Sequence, residues 1–305
     1  MNKKIRGVFA AVPTPFTEDF KPDFDLFFEH CDWIIDSGCD GLNVLGSTGE
    51  ANSQTSKARA EIMRAVSKSS LNRAALMVGT GTPSLGDTIE LTQLAADLGF
   101  DAALVLPPYF YSGVSDDGLF EYFSRLVNAI KSRDTGIYLY NFPQMTGLTF
   151  SPELVARLVE TFPEQIRGMK DSSGDMGYAS HMAKTFAGRF DVFPGSEASL
   201  ADAAEFGYAG CISASVNATV ELSAKIWRQR DAVTDVELTE LRDMRSAIAS
   251  VPIVAAAKAL TAMRSGQNDW RRMMPPLVEL NVDQQQSISV VADALGFSSA
   301  MANDG

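Results

Sequence analysis

The segment RGMKDSSGD places a lysine, Lys170, at the end of an apolar run. Burial disfavours the protonated form of a lysine, so its free amine becomes available as a nucleophile. Such an amine can attack a ketone, lose water and form an iminium, which acidifies the neighbouring carbon and lets a carbon–carbon bond form or break. Position alone supports an equally good alternative, in which the aliphatic chain of Lys170 carries its ammonium out to solvent.

Two further segments put polar side chains after apolar runs. Tyr140 follows GIYL, and its phenol could pass protons to and from a carbinolamine or a substrate hydroxyl. A packed tyrosine with a satisfied hydroxyl is the commoner situation. The GSTGE segment (residues 46–50, the 46–50 loop) combines two hydroxyls with glycines that let backbone amides approach a carboxylate. Alone, it could equally cap a helix through Ser47 or Thr48.

Short apolar runs alternate with amphipathic ones from about residue 7 to about residue 230, which predicts repeated strand–helix units. Several of the strand-like runs are apolar almost throughout, as in a parallel sheet covered on both faces. Eight such units fit a (β/α)8 TIM barrel. The predicted strands are residues 7–12, 41–45, 74–78, 102–106, 136–140, 166–170, 191–193 and 210–213. Predicted helices between them include residues 23–35, 57–67, 85–98, 115–130, 152–160 and 200–206.

Lys170, Tyr140 and the 46–50 loop all follow strands, at the end of the barrel where active sites of this fold form. Strand-like runs stop near residue 230, and helices are predicted at residues 236–250, 252–263 and 282–295. We therefore predict a barrel over residues 1–230 and a small C-terminal helical appendage over residues 231–305. A doubly wound sheet is the alternative, but no glycine fingerprint follows the first strand.

The residue inventory disfavours several classes of function. Acidic residues outnumber basic ones by 38 to 26, and the net charge of −12 disfavours binding to nucleic acid or a membrane surface. No apolar run approaches the roughly 20 residues that span a bilayer. Two histidines are too few for a His-rich metal centre or a His-dependent triad, so no metal is predicted. Three cysteines without metal-ligand spacing suggest reduced thiols in a cytoplasmic protein, and the first residues read as a strand, not a signal peptide.

Taken together, the GSTGE, YNFP and GMK segments resemble the G-[ST]-T-G-E, Y-N-x-P and G-x-K motifs of the dihydrodipicolinate synthase/N-acetylneuraminate lyase family of Schiff-base barrel enzymes. The motifs occur in the family's order and at family-like separations, from about residue 7 to about residue 217. The resemblance implies that Lys170 forms the Schiff base with a 2-oxo acid and that Tyr140 relays protons. It gives Thr48 a catalytic part and implies that Ser47 and Thr48 bind the pyruvate carboxylate.

The resemblance also implies the surroundings of this lysine. Gly46, Gly195 and Ile212 match positions that bind the substrate or line the pocket. No metal or organic cofactor is implied beyond the covalent pyruvate imine, and the small-molecule partner is a 2-oxo acid. The family further suggests a homotetramer built as a dimer of dimers.

Met145 departs from the pattern of the synthases, which place an arginine at this slot to bind the carboxylate of aspartate semialdehyde. A thioether cannot form that charge-assisted bond, whose loss commonly costs about 1.5–3 kcal/mol. An arginine from elsewhere, such as Arg167 or one of a neighbouring subunit, could compensate. The segment YNFPQMTG, which contains Met145, instead resembles aldolases that act on 2-keto-3-deoxy sugar acids.

A second departure concerns the tyrosine that the family supplies across a subunit interface from a P-Y-Y run. Here the run reads PYFY. An alignment without gaps puts Phe110 at the position of that family tyrosine, and Tyr111 reaches the position only if the alignment shifts by one residue. Both alignments remain open. A polyhydroxylated substrate also needs polar groups at the mouth of the barrel, and four residues there are candidates that could instead cap helices: Ser172, Ser173, Ser196 and Glu197.

The leading hypothesis is a pyruvate-dependent class I aldolase or lyase that reversibly cleaves a 2-keto-3-deoxy sugar acid to pyruvate and an aldehyde. The first alternative is 4-hydroxy-tetrahydrodipicolinate (dihydrodipicolinate) synthase, which condenses pyruvate with aspartate semialdehyde. A hydratase or dehydratase of a keto-deoxy acid would use the same iminium. A non-catalytic sensor of 2-oxo acids would be expected to lack Lys170 or Tyr140, and both are present.

Overall fold

The computed structural model describes residues 5–130, 134–229 and 232–297 of the chain. Its strands are β1 (Gly7–Ala11), β2 (Gly41–Val44), β3 (Ala75–Gly79), β4 (Ala102–Val105), β5 (Gly136–Asn141), β6 (Ile166–Asp171), β7 (Asp191–Pro194) and β8 (Gly210–Ser213). All are parallel, in the order β7-β6-β5-β4-β3-β2-β1-β8. Ala209, just before β8, donates its backbone N–H to the Val192 carbonyl of β7 at 2.9 Å, which brings the two ends of the sheet together. The predicted (β/α)8 barrel is confirmed, and each strand lies within one residue of its expected bounds.

Helices connect successive strands and cover the outside of the barrel. They are α1 (Phe24–Asp36), α2 (Ser56–Ser67), α3 (Leu85–Asp97), α4 (Asp116–Ile130), α5 (Pro143–Thr146), α6 (Pro152–Thr161), α7 (Met176–Thr185), α8 (Ala203–Phe206) and α9 (Val216–Arg228). The helix expected at residues 200–206 is shorter than predicted. Ser196 accepts a hydrogen bond from the Ala198 backbone N–H and so begins a 3-10 turn upstream, at Glu197–Leu200, which leaves α8 only four residues.

Side-chain caps decide where several of these helices begin. Thr55 accepts from the Ala58 N–H at the start of α2, and Asp175 accepts from the Tyr178 N–H at the start of α7. Each cap satisfies a backbone donor that the first helical turn leaves without a partner. Some polar residues in the loops after the strands therefore cap helices, and these residues have a structural role.

The barrel interior is filled by large side chains set against glycines. Phe9, Tyr138 and Phe193 are buried there and pack edge to face, with ring centroids 5.7 and 6.0 Å apart. A Cβ on Gly41 would lie 2.2 Å from the Phe9 ring, and one on Gly168 would lie 2.5 Å from the Tyr138 ring. The interior is consequently a packed core that closes the bottom of the site.

The C-terminal region consists of α10 (Asp235–Ala249), α11 (Ile253–Ser265) and α12 (Val282–Ala294), close to the predicted helices. The predicted division between residues 230 and 231 stays a prediction, and those two residues lie outside the described part of the chain. Across the described residues, no single helix has the length and apolar composition to cross a membrane. Only α10 and α11 taken together, bent by 113° at their junction, pass that test.

A buried ion pair joins this region to the barrel. Lys258 of α11 and Glu50 of the 46–50 loop form the pair, and both side chains are shielded from solvent. The Lys258 ammonium also donates to the Arg272 carbonyl at 2.6 Å and lies 4.4 Å from the centre of the Phe16 ring. The other Glu50 oxygen accepts from the Met274 N–H at 2.7 Å. Burial raises the pKa of Glu50 and lowers that of Lys258, and the attraction between the two charges opposes both shifts.

Removing one member of this pair should destabilise the fold strongly. We expect Lys258→Met to lower the free energy of unfolding by about 3–5 kcal/mol, because the Glu50 carboxylate would stay buried without its cation. Urea denaturation, monitored by circular dichroism, measures this difference in unfolding free energy. Lys225→Met is the matched control, since Lys225 pairs with Glu237 at a partly exposed site and should change stability little. The double variant Glu50→Gln/Lys258→Met should regain most of the loss, and a loss as large as in the single variant would contradict this account.

His30 supplies a pH-dependent contribution to stability. It is buried on α1, with Nε2 3.0 Å from Asn217 Oδ1 and Nδ1 3.3 Å from an Arg264 nitrogen. Burial, and then the Arg264 charge, lower the pKa of His30 to about 3. In the unfolded chain His30 therefore binds a proton below about pH 6.5, whereas in the folded chain it binds that proton only below about pH 3.

We expect stability to fall on acidification across this window, with His30 contributing up to about 1.4 kcal/mol per pH unit. His30→Gln should flatten the dependence of unfolding free energy on pH between about 6 and about 3.5. Denaturation curves at several pH values measure the slope, and His181→Gln on the exposed face of α7 is the control. A slope unchanged by His30→Gln would show that His30 is protonated in the folded protein.

Candidate active site

Lys170 and Tyr140 lie side by side at the carboxyl ends of two neighbouring strands. The parallel register of β5 and β6 pairs Tyr140 with Lys170 directly. Lys170 Nζ lies 4.6 Å from the centre of the Tyr140 ring, and both residues are no more than 5% exposed. The Tyr140 ring therefore packs against the end of the Lys170 side chain and helps to hold it in place.

Side-chain hydrogen bonds between Asn141 and Asp171, and from both residues to the chain nearby, hold these two strand ends together. Asn141 Nδ2 donates to Asp171 Oδ1 at 2.7 Å, and Asn141 Oδ1 accepts from the Phe150 N–H. Asp171 Oδ2 accepts from Ser173 Oγ at 2.9 Å. Burial raises the pKa of Asp171, and these hydrogen bonds oppose the increase. Asp171 and Ser173 therefore stabilise the turn that follows Lys170.

The 46–50 loop approaches the same place from β2. Ser47 Oγ lies 3.4 Å from Tyr140 Oη, and Thr48 is buried beside it at the cavity. Neither hydroxyl caps the following 3-10 turn at Ala51–Ser53, whose cap position is Glu50. The structure thus places the Ser47 hydroxyl near the phenol and Thr48 at the cavity, and neither side chain caps a helix.

This loop has an unusual backbone that the surroundings hold in place. Leu45 and Glu50 have φ angles of 55° and 53°, a left-handed conformation that costs energy in residues with side chains. Thr14 Oγ1 and Gln54 Nε2 both donate to the Gly49 carbonyl, at 2.9 and 2.8 Å. A Cβ on Gly79 would lie 2.0 Å from the Leu45 carbonyl oxygen, so the loop can rest on β3 only because that residue is glycine.

One cavity of about 370 Å³ contains most of the predicted residues. Its walls come from the loops that follow β2, β5, β6, β7 and β8, together with α10 and the start of α11. Six of the predicted binding or catalytic residues line it, namely Ser47, Thr48, Tyr140, Met145, Lys170 and Gly195, as do the candidate hydroxyl residues Ser172 and Ser196. The amine, the phenol and several hydroxyls can therefore meet one small molecule.

Three predicted residues lie elsewhere. Gly46 does not line the cavity, and its carbonyl accepts from the Ala51 N–H within the loop. Ile212 of β8 is buried in the barrel interior, in the same apolar cluster as Tyr140. Tyr111 is 70% exposed on the loop after β4, beside Phe110, which is 83% exposed. The substrate-binding and relay roles of these residues stay predictions.

The candidates after β7 have separate structural tasks. Gly195 donates its N–H to the Asp171 carbonyl at 2.6 Å, and a Cβ there would lie 2.4 Å from Ser172 Oγ. Glu197 is fully buried and accepts from Ser213 Oγ at 2.6 Å and Thr219 Oγ1 at 3.0 Å. Ser196 both caps the 3-10 turn and lines the cavity.

Arg167 cannot replace the arginine that the synthases carry at the position of Met145. It is the second residue of β6, whereas Lys170 lies near the carboxyl end of that strand. Its guanidinium pairs with Asp134 at 3.0 Å, and its side chain lies over Gly136, the first residue of β5. Arg167 is therefore at the opposite end of the barrel. Met145 itself is 70% exposed at the edge of the cavity.

Sequence reasoning missed the part of the cavity built by the C-terminal helices. Arg245 of α10 lines the cavity and donates from Nη1 to Ser215 Oγ at 3.0 Å. The remaining wall is apolar and consists of Ala249, Val251, Ile253 and Val254. The prediction of a separate appendage places these helices outside the site, and no local motif marks Arg245 as a cavity residue.

Other nucleophiles and metal ligands are poorly placed in the described residues. Cys31, Cys39 and Cys211 are buried free thiols, and burial raises the pKa of Cys39 to about 12. Across the ranges given above, no group of three or more His, Cys, Asp or Glu residues could hold a metal ion. A larger apolar groove of about 700 Å³ between α10 and α12 has no lysine, cysteine or tyrosine in its described walls. Lys170 is thus the nucleophile best placed for chemistry.

Comparisons with known proteins agree with this geometry. A model of the dihydrodipicolinate synthetase family matches residues 4–295. An uncharacterized DapA-like lyase of Chloroflexus aurantiacus is 31% identical over 263 residues, covering 84% of this chain and 87% of that protein. The probable 2-dehydro-3-deoxy-D-pentonate aldolase YjhH of Escherichia coli K12 is 28% identical over 303 residues, covering 97% of this chain and 99% of its own.

Among solved structures, YagE in complex with pyruvate superposes with a TM-score of 0.87 at 27% identity, covering 97% of this chain and 100% of that one. YagE is a prophage protein of Escherichia coli K12 that belongs to the dihydrodipicolinic acid synthase family. The family model, the relatives and the structural match therefore agree with the motifs around Lys170. This chain belongs to the dihydrodipicolinate synthetase family, and with that family it is a lyase.

Proposed function

We propose that this enzyme forms a Schiff base between Lys170 and pyruvate, and that it reversibly cleaves a 2-keto-3-deoxy sugar acid to pyruvate and an aldehyde. The observation that carries the proposal is the buried amine of Lys170 beside Tyr140 in one open cavity. The similarity to YjhH, a probable 2-dehydro-3-deoxy-D-pentonate aldolase, supports the sugar-acid substrate.

The chemistry follows from the positions of the amine and the phenol. Lys170 Nζ attacks the carbonyl carbon of the keto acid, and loss of water from the carbinolamine gives the iminium. Tyr140 gives its phenolic proton to the departing hydroxyl of the carbinolamine, which leaves as water. The phenolate then accepts the proton of the hydroxyl at the carbon that becomes the aldehyde, while the breaking carbon–carbon bond delivers its electrons to the iminium. The resulting enamine takes up a proton at carbon, and water releases pyruvate and the free lysine. No metal or organic cofactor takes part in these steps.

The 46–50 loop is proposed to bind the carboxylate of the keto acid. Ser47 and Thr48 bring two hydroxyls to the cavity, and Ser47 Oγ lies within 3.4 Å of the Tyr140 phenol. A carboxylate held there would place its adjoining carbonyl carbon near Lys170.

The synthase reaction is the second candidate. It uses the same iminium, but aspartate semialdehyde needs a cation for its carboxylate, and Met145 replaces the arginine that synthases place after β5. Arg167 lies at the wrong end of the barrel to compensate, and Arg245 lines the cavity from the side of the loop after β8 instead of the loop after β5. We therefore favour cleavage of the sugar acid over condensation with the semialdehyde.

A second copy of the chain is proposed to cover the loop after β4. Phe110 and Tyr111 project there as two exposed aromatic rings whose centres are 5.4 Å apart. Phe110 has a φ of 90°, which is rare for a residue with a side chain. Tyr111 has the hydroxyl that Phe110 lacks, so we assign to Tyr111 the relay across a homotetramer interface.

The central claim can be tested by trapping the covalent intermediate. Incubation with pyruvate followed by borohydride should attach one reduced pyruvyl group per chain, detected by intact mass and located by peptide mapping. Lys170→Arg should abolish the adduct, because a guanidinium does not form this imine. Lys184→Arg on exposed α7 is the matched control and should leave the adduct intact. An unchanged adduct in Lys170→Arg would refute the assignment.

The role of the phenol is tested by Tyr140→Phe. We expect kcat for aldol cleavage to fall about a hundredfold to ten-thousandfold, as for loss of a general acid–base group. Stability should change little, since the nearest polar partner of Tyr140 Oη is Ser47 at 3.4 Å. Tyr178→Phe is the control, because its hydroxyl donates to the Phe150 carbonyl outside the cavity.

Pyruvate release from a panel of keto-deoxy sugar acids, compared with condensation of pyruvate and aspartate semialdehyde, separates the candidates. Equal kcat in Tyr140→Phe and wild type would exclude the phenol from proton transfer. Adduct formation without turnover of any substrate would favour a sensor of 2-oxo acids.

A further inference from the structure

The cavity has a second basic side chain besides Lys170, and it comes from the C-terminal helices. Arg245 lies on α10, 10 residues into that helix, and lines the cavity with Lys170 and the 46–50 loop. Among the residues that the structure describes, no carboxylate forms an ion pair with Arg245. The guanidinium is therefore charged, adjacent to the cavity and not neutralised by a described side chain.

A chain of hydroxyls holds this guanidinium in place. Arg245 Nη1 donates to Ser215 Oγ, which lies 3.2 Å from Ser213 Oγ. Ser213 in turn donates to the fully buried Glu197 carboxylate at 2.6 Å. An arginine has five N–H donors, so this contact leaves others for a ligand. The network positions the guanidinium before any substrate binds.

The other polar groups around the cavity already have partners. In the proposed reaction Lys170 forms the imine, and the hydroxyls of the 46–50 loop bind the carboxylate next to the keto group. The acidic residue Asp171 accepts hydrogen bonds from Asn141 and Ser173 at its two oxygens. Arg245 thus remains as the cation available to a second anionic group.

The location of Arg245 differs from that of the arginine in the synthases. The synthase arginine would stand at Met145, after β5, whereas Ser215, the partner of Arg245, follows β8. In the barrel, β6 and β7 lie between those two strands. An anion bound by Arg245 would therefore enter on another side of Lys170 than the carboxylate of aspartate semialdehyde.

We propose that Arg245 determines specificity by binding an oxyanion at the far end of the substrate, so that the aldehyde half of the 2-keto-3-deoxy acid carries a terminal carboxylate or phosphate. This inference rests on the aldolase function proposed above and names its substrate class. Either anion can accept two parallel N–H bonds from a guanidinium. Val251, Ile253 and Val254 line the same cavity, and an apolar lining strengthens a charge-assisted hydrogen bond formed there.

The test compares 2-keto-3-deoxy acids of equal length that end in a neutral alcohol, a carboxylate or a phosphate. We expect wild-type kcat/KM to be about tenfold to a hundredfold higher for one of the anionic substrates than for the alcohol. Arg245→Gln should reduce that ratio to near one. Arg242→Gln, one turn earlier on exposed α10 and paired with Asp202, is the matched control and should keep the ratio.

The inference is overturned if the wild type favours the neutral substrate, or if Arg245→Gln lowers kcat/KM equally for all substrates. The pyruvate concentration that gives half of the maximal borohydride-trapped adduct is a further readout. If Arg245→Gln raises this concentration strongly, Arg245 binds the pyruvate carboxylate instead. A wild type that forms no pyruvate adduct would overturn the proposed function itself, whereas adduct formation with no preference for an anionic substrate would overturn only the assignment to Arg245.

Discussion

The parallel pairing of β5 with β6 is the constraint on which the site depends. It sets Tyr140 opposite Lys170, and the hydrogen bond from Asn141 to Asp171 at the next position holds the two strand ends together. Successive strand residues point to opposite faces, so a slip of one residue would turn either Tyr140 or Lys170 away from the other. The amine, the phenol and the cavity above them exist because this register is maintained.

Much of the fold and the centre of the site could be predicted because their signals are local. Each strand is a short apolar run between breakers, and its bounds follow from the adjoining few residues. In a barrel, the end of a strand is also the place where the chain reaches the catalytic face. Lys170 and Tyr140 could therefore be placed together from their positions in two runs, before any contact was known.

The rest depends on contacts between distant parts of the chain, which local patterns do not contain. Glu50 reads as a polar loop residue, yet it is buried against Lys258, which is more than 200 residues away along the chain. Arg245 reads as one more charge on an amphipathic helix, although it lines the cavity. Arg167 and Lys170 are near neighbours in sequence but lie at opposite ends of one strand. Ile212 matches a pocket position by motif, and its burial among strands of the barrel depends on packing that the motif does not contain.

The Glu50–Lys258 pair couples the 46–50 loop to the C-terminal helices, so these two parts of the chain must remain compatible when the sequence changes. A barrel separated from those helices would retain a bare carboxylate beneath its own substrate loop, and helices taken from a relative would need to bring a matching cation. Recombination between related barrels would therefore keep the fold stable only where the loop and the helices bring compatible residues to these two positions. The helical region, which also supplies Arg245, can diversify the substrate range through residues on its cavity side while Lys258 keeps it attached.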